Sequence, residues 1–283
     1  MIQIEEINSA PSFSSQLDNK FLFSNHFSDI SISYHSTYTI KYVINGVKYY
    51  NFNNKDFKVL NNQYLIINGS SLINTKAEKE TRGLSLFLSP TLISEMSYLY
   101  LGDSTPPKFF EIIKRNSNQE IRKLLNKIVY LYENDRYYLN QQMEDLFLAV
   151  VELIFLEQIS IEGTFERLKI VKHNTREELY KSIIKTKEYL NDSFRDKISL
   201  DMISKEIGLS KYYLHRLFKE INGSTPVEYL IRIRLENARQ QLQYTKDSIS
   251  DVANASGFES VAYFSNSFKK HFGLSPTQFR KAL

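Results

Sequence analysis

The chain has 283 residues, 42% hydrophobic and 24% charged, with 36 Lys and Arg against 32 Asp and Glu and no cysteine. This length predicts two domains, each able to bury its own core. The lack of cysteine excludes disulfides and thiolate chemistry and suits a reducing cytoplasm.

Charge is divided unequally. Residues 179–283 hold 17 Lys and Arg against 11 Asp and Glu, a net +6, while residues 1–178 carry a net −2. A basic C-terminal part suits a nucleic-acid partner. No basic stretch followed by an apolar one opens the chain, so no secretory signal is expected. The most apolar run, residues 146–156, is too short to span a bilayer and is interrupted by Glu152, so no membrane partner is expected.

Up to about residue 88 the pattern reads as short strands. Asn45-Gly46 sits between two β-rich runs and predicts a hairpin. Asn53-Asn54 and Asn61-Asn62 predict further turns. Closely spaced antiparallel strands of this kind predict a small barrel or sandwich. Aromatic residues are dense here. Most belong to a core, yet Tyr34, Tyr38, Tyr42 and Tyr49 are candidates to line an apolar, metal-free effector cavity.

No catalytic residue, metal or cofactor is expected. Of five histidines only His26 and His35 lie among the strands, and no H-x-H pair, G-x-S-x-G elbow, G-x-G-x-x-G loop or phosphate-binding loop occurs.

From Ser89-Pro90 the period becomes helical. Ser117 and Glu120 predict a capping box before Ile121, Leu124, Leu125 and Ile128. A helix over about 139–159 carries Leu146, Ala149, Val150, Leu153, Ile154 and Leu156. That surface is wider than one small sheet requires, and it reads either as a core helix or as a homodimer interface. Residues 161–177 are polar and weakly periodic, as in an interdomain linker.

The last third contains a repeat. FKEINGSTPVEYL (218–230) aligns without a gap with FKKHFGLSPTQFR (268–280), and the match continues upstream. In the first copy Ser199 caps a helix with Ile203 and Ile207 inward, Gly208 turns the chain and Ser210 caps the next helix. Leu214, Leu217, Phe218 and Ile221 then form a core face, leaving Lys211, Tyr212, His215, Arg216 and Lys219 on the other. In the second copy Ser248 and Asp251 predict a capping box, Gly257 the turn, and Phe264, Phe268 and Phe272 the core face. Ala262, Ser265, Asn266 and Lys269 face outward, with Lys270 nearby. One continuous helix over 226–243, with Leu230, Ile233, Ala238 and Leu242 for packing, separates the copies. A polar outer face is either simply solvated or shaped for the DNA major groove, and its repetition favours the groove.

With these motifs, residues 179–283 resemble the AraC/XylS family of bacterial transcription regulators, most specifically in the closing G-F…F…F-K-K-x-F-G-x-S-P-x-x-F-R pattern. The resemblance implies a seven-helix domain with two helix-turn-helix motifs on a linker helix. By position, Tyr212, His215 and Arg216 match base-reading residues of the first motif, and Val261, Ala262, Ser265 and Asn266 those of the second. Many members carry Arg where Asn266 stands, and this departure makes adenine a candidate base there instead of guanine. Lys211, Lys219, Lys269 and Lys270 are expected on phosphates. The N-terminal part resembles the cupin-like sensory arm of the same family more faintly, without its metal-binding residues.

The expectation is therefore an α+β protein. A cupin-like β-barrel with a helical dimerisation segment occupies residues 1–160, a linker 161–177, and an all-α DNA-binding domain 178–283. It would act as a transcription regulator, an activator, on double-stranded DNA and RNA polymerase, as a homodimer controlled by a small-molecule effector. A constitutive regulator without effector, or a barrel enzyme tethered to a DNA-binding module, are the alternatives.

Overall fold

The computed structural model describes residues 2–7, 18–69, 71–114 and 119–282. Contacts divide the chain into two units, Met1–Glu177 and Glu178–Leu283.

Strands dominate the start of the first unit: β1 (Gln3–Ile7), β2 (Lys20–His26), β3 (Ile30–Ser36), β4 (Tyr38–Asn45), β5 (Lys48–Phe52), β6 (Lys55–Val59), β7 (Tyr64–Ile67), β8 (Ser71–Ala77) and β9 (Thr81–Leu88). Helix α1 (Pro90–Leu101), the short β10 (Ile113–Lys114), α2 (Gln119–Asn134) and α3 (Arg136–Arg167) follow. The strands form a six-stranded sheet, β1-β2-β9-β4-β7-β10, and a four-stranded sheet, β3-β8-β5-β6. All pairings among the described residues are antiparallel except β1 with β2.

Strand alternation gives each sheet its faces. Phe21, Phe23, Ile40, Tyr42, Tyr64, Ile66, Leu84 and Leu86 of the larger sheet share one core with the helices α1 to α3. On its opposite face Val43, Leu65 and Ile67 meet Tyr50, Phe52, Phe57, Val59 and Ile73 of the smaller sheet. The result is a sandwich backed by helices. No ladder among the described residues joins the two sheets, so the expected barrel is not closed.

The turns explain this. Asn53 and Asn54 both adopt positive φ and make the two-residue hairpin turn between β5 and β6. Asn45-Gly46 does not close a hairpin: β4 pairs with β7 and β9, whereas β5 lies in the other sheet. Gly46 carries the chain across at φ +84°, and a Cβ there would lie 2.4 Å from Thr81 Oγ1. Asn62, also at positive φ, links β6 to β7 and hence the smaller sheet back to the larger one. Its N–H is held by the Val43 carbonyl at 2.8 Å.

Ser117 lies outside the described residues, so the capping box expected before α2 has no structural counterpart here. Helix α3 is longer than the expected 139–159. Asp135 caps it, and Ile161, Thr164 and Phe165 continue its buried stripe. The next helix, α4 (His173–Asp192), starts six residues beyond α3, so much of the expected linker at 161–177 is helical. Its polar composition conceals buried positions at i, i+3 and i+4.

The second unit continues with α5 (Leu200–Ile207), α6 (Lys211–Asn222), α7 (Pro226–Tyr244), α8 (Ile249–Ala255), α9 (Val261–Phe272) and α10 (Pro276–Lys281). Leu235, Ala238 and Leu242 of α7 join Val252, Ala253, Phe258, Phe264 and Phe268 in one core. Ile233, expected in that stripe, is half-buried, and Leu235 takes its place because it precedes Ala238 by three residues on the packed face.

Candidate nucleic-acid interface

Side-chain caps delimit both motifs. Ser199 Oγ accepts the Met202 N–H at 3.2 Å at the start of α5, and Ser210 Oγ accepts that of Tyr213 at 3.3 Å at the start of α6. Gly208 and Gly223, both left-handed, end these helices. Thr225 and Glu228 form a capping box on α7, and the two hydrogen bonds with Thr225 hold the exposed Glu228 carboxyl below its usual range.

The second motif repeats this with one variation. Ser248 Oγ accepts the Asp251 N–H at 3.1 Å, but the Asp251 carboxylate takes the Ser248 hydroxyl rather than its backbone N–H. Ser260 caps α9, Gly273 ends it, and Ser275 with Gln278 completes a capping box on α10.

The outer faces follow from the buried ones. On α6, Leu214, Leu217 and Phe218 are buried, while Lys211, Tyr212, Arg216 and Lys219 are exposed and His215 is half-buried. Tyr212 is 77% exposed. On α9, Phe264 and Phe268 are buried among Phe258, Phe272 and Phe279. Val261, Ala262, Asn266, Lys269 and Lys270 are exposed and Ser265 is half-buried. Each expected base-reading residue thus lies on the accessible side of its own helix. The expected phosphate ligands are also accessible, although Lys211 is engaged with Asp201 at 2.6 Å.

Two contacts that sequence reasoning passed over hold the second motif. Arg234 of α7 donates from Nε to the Phe194 carbonyl at 2.7 Å and from Nη2 to that of Asp196 at 2.8 Å. Gly257 approaches the same segment, and a Cβ on it would lie 2.7 Å from the Phe194 oxygen.

The four candidate effector tyrosines do not share a cavity. Tyr34 is aimed between the sheets, where burial pushes its phenol up to about 12. Tyr38 reaches the Pro107 carbonyl at 3.4 Å and packs edge-on against Phe109. Tyr42 sits in the helix-facing core, its hydroxyl 2.6 Å from Asn126 Oδ1. Tyr49 lies on the outer face of the smaller sheet, bonded to Glu78 and lining a groove of about 660 Å³. Beside its apolar cluster the sandwich interior also holds charged side chains: Lys20, Lys41 and Lys48 are buried. Their signal was the inward parity of Lys41 in β4, two positions from Thr39 and Val43.

Residues 203–282 match the family model of a helix-turn-helix domain. The chain is similar to the HTH-type transcriptional activator RhaS of Mannheimia succiniciproducens, with 29% identity over 60% of this chain and 58% of the relative. It is also similar to the Msm operon regulatory protein of Streptococcus mutans, 26% identical over 71% of this chain and 73% of that one. Among solved structures, a Chromobacterium violaceum transcriptional regulator described as containing an AraC-type DNA-binding domain is 31% identical. It covers 39% of this chain and 95% of its own, with a TM-score of 0.33. No helix among the described residues is long and apolar enough to cross a membrane.

Proposed function

We infer, from a C-terminal unit that belongs to the AraC family of helix-turn-helix regulators, that this chain is a sequence-specific transcription regulator of double-stranded DNA. The observation that carries this reading is the repeated motif: two capped helices, α6 and α9, each present an exposed polar face and share the continuous helix α7. An α-helix with donors and cations on its open side fits the major groove, and a fixed spacer suits two successive grooves. Tyr212, His215 and Arg216 read bases through α6. Val261, Ala262, Ser265 and Asn266 do so through α9, with Lys219, Lys269 and Lys270 on phosphates. Lys211 exchanges Asp201 for a phosphate on binding.

The strand-rich unit is the regulatory part. It responds to a small molecule held within the sandwich and dimerises through α3, where Leu148 and Leu156 remain exposed. Leu153, on the same helix, packs partly into the core and contributes less to that surface. The RhaS relative is named a transcriptional activator; activation by this chain would proceed by recruiting RNA polymerase in the cytoplasm.

Sequencing the DNA fragments bound to the protein in its native organism tests this. A shared motif with two boxes about one helical turn apart is the expected result. Bound fragments with no common sequence would overturn it.

A further inference from the structure

The interior of the sandwich contains cationic groups that its own residues do not balance. Lys20 pairs with Glu5 at 2.9 Å, but among the described residues neither Lys41 nor Lys48 has a carboxylate partner. Lys48 Nζ donates to Ser24 Oγ at 2.6 Å, and Ser24 is itself committed to the Gly83 carbonyl. Lys41 Nζ lies 4.3 Å from the centre of the Phe87 ring and 5.2 Å from that of Tyr34, whose faces attract a cation without replacing its lost hydration.

Both ammonium groups line one cavity of about 30 Å³, together with Ser24 and Ser85. That is room for a few heavy atoms. His26, only 3% exposed, lines it too, and its Nδ1 has no hydrogen-bond partner. The backbone makes space for this arrangement: a Cβ at Gly83 would stand 2.7 Å from Lys48 Nζ.

Uncompensated charge in such a place either gives up its proton or acquires a counter-ion. Burial pushes Lys48 down to about 7 and Lys41 well below its usual range, with Lys48 and Lys20 adding repulsion at Lys41. Without an anion, burial draws protons off both amines, and an anion restores them. Leu22 and Ile32 in the lining suit a short hydrocarbon.

We propose that this cavity is an anion site in which Lys41 and Lys48 hold the carboxylate of a small organic acid. The site gives a chemical class to the effector proposed above, and only its influence on DNA binding rests on that reading. Binding takes up protons from solvent, because the carboxylate raises the affinity of both amines for them.

Calorimetry on the full chain with sodium acetate and sodium propionate, in two buffers of different ionisation enthalpy and with sodium chloride holding ionic strength constant, tests the proposal. Saturable binding with net proton uptake is expected, with a rise in Tm of about 3 °C at ten times Kd. Lys41→Met should fold with an unchanged or higher Tm and bind the acids at least about tenfold more weakly. The uptake is read on unmodified protein and so survives an unstable variant. Heats no greater than those of chloride, binding without proton uptake, or a folded Lys41→Met that binds as well as the parent would each overturn the site. Binding to a selected DNA fragment, measured with and without acetate, separates the two readings. An acid that binds without altering DNA affinity leaves the anion site standing and removes its role as effector site. No acid binding beside intact DNA binding removes the site alone.

Discussion

A methyl group added at Gly257 strikes the contact that ties the second motif to the start of its unit. Gly257 has φ +84°, and the added carbon would stand 2.7 Å from the Phe194 oxygen and 3.0 Å from Arg195 Cα. Both are backbone atoms, so no rotamer change relieves the overlap. The same carbonyl accepts Arg234 Nε at 2.7 Å, and displacing it strains that hydrogen bond as well. Gly208, the equivalent turn of the first motif, has φ +75° but nothing within 4 Å of a built Cβ. Gly208→Ala therefore costs only the left-handed conformation, about 1 kcal/mol. Gly257→Ala adds the backbone displacement and the weakened bond, for a total of about 2–4 kcal/mol. Urea unfolding of the full chain, followed by helical circular dichroism, measures both variants against the parent. Equal destabilisation by the two substitutions would refute the role assigned to Phe194.

On DNA, Arg216→Ala should cost about 1–3 kcal/mol at the true site and relax preference at one or two base pairs, with Asn266→Ala reporting likewise on an A·T pair. Lys219→Ala and Lys269→Ala should weaken all duplexes alike and lower the salt slope by about one, and Lys211→Ala, which also frees Asp201, should do less. Titrations against specific and scrambled duplexes at several salt concentrations decide, and the assignment fails if Arg216→Ala loses affinity equally for both. Leu156→Glu on the exposed side of α3 should yield folded monomers in sedimentation, and an unchanged dimer mass would remove α3 from the interface. Lys48 titrates near 7 when folded and at 10.5 when unfolded, so above neutrality the unfolded chain binds more protons. Stability should accordingly rise with pH from about 7 towards 10, below the range in which Tyr34 loses its proton. Lys48→Met should flatten that rise in denaturation measured near neutrality and two units above it.

Much of the second unit was legible because its signals are local. Ser, Thr and Gly at helix ends act on neighbouring backbone groups, and the caps at Ser199, Ser210 and Ser248 stand where the spacing placed them. Arg234 was not legible, since its partners lie some forty residues away and nothing near it in sequence distinguishes it from a solvated arginine. In the strand-rich unit the turn chemistry was readable but its destination was not. Asn45-Gly46 bends the chain just as a hairpin would, and only pairing with distant β9 reveals that the next strand enters another sheet. Long-range pairing also separated the four tyrosines, whose inward or outward parity depends on which sheet each strand joins. The buried lysines were hidden by composition, because a lysine between apolar neighbours ordinarily reads as the solvent side of a strand.

Helix α7 converts length into angle. Each residue of an α-helix advances about 1.5 Å and turns about 100°, so its 19 residues extend about 28 Å as a single rod. One residue inserted or removed within it would swing α9 about a third of a revolution relative to α6, presenting the wrong side of one helix whenever the other is seated. Bending does not readily absorb such an indel, whereas on the proposed reading a side-chain change on α6 or α9 would alter one box and leave the other untouched. On the proposed reading, recognition therefore drifts by substitution more readily than by insertion, because a spacing set by a rigid rod does not shift one base pair at a time.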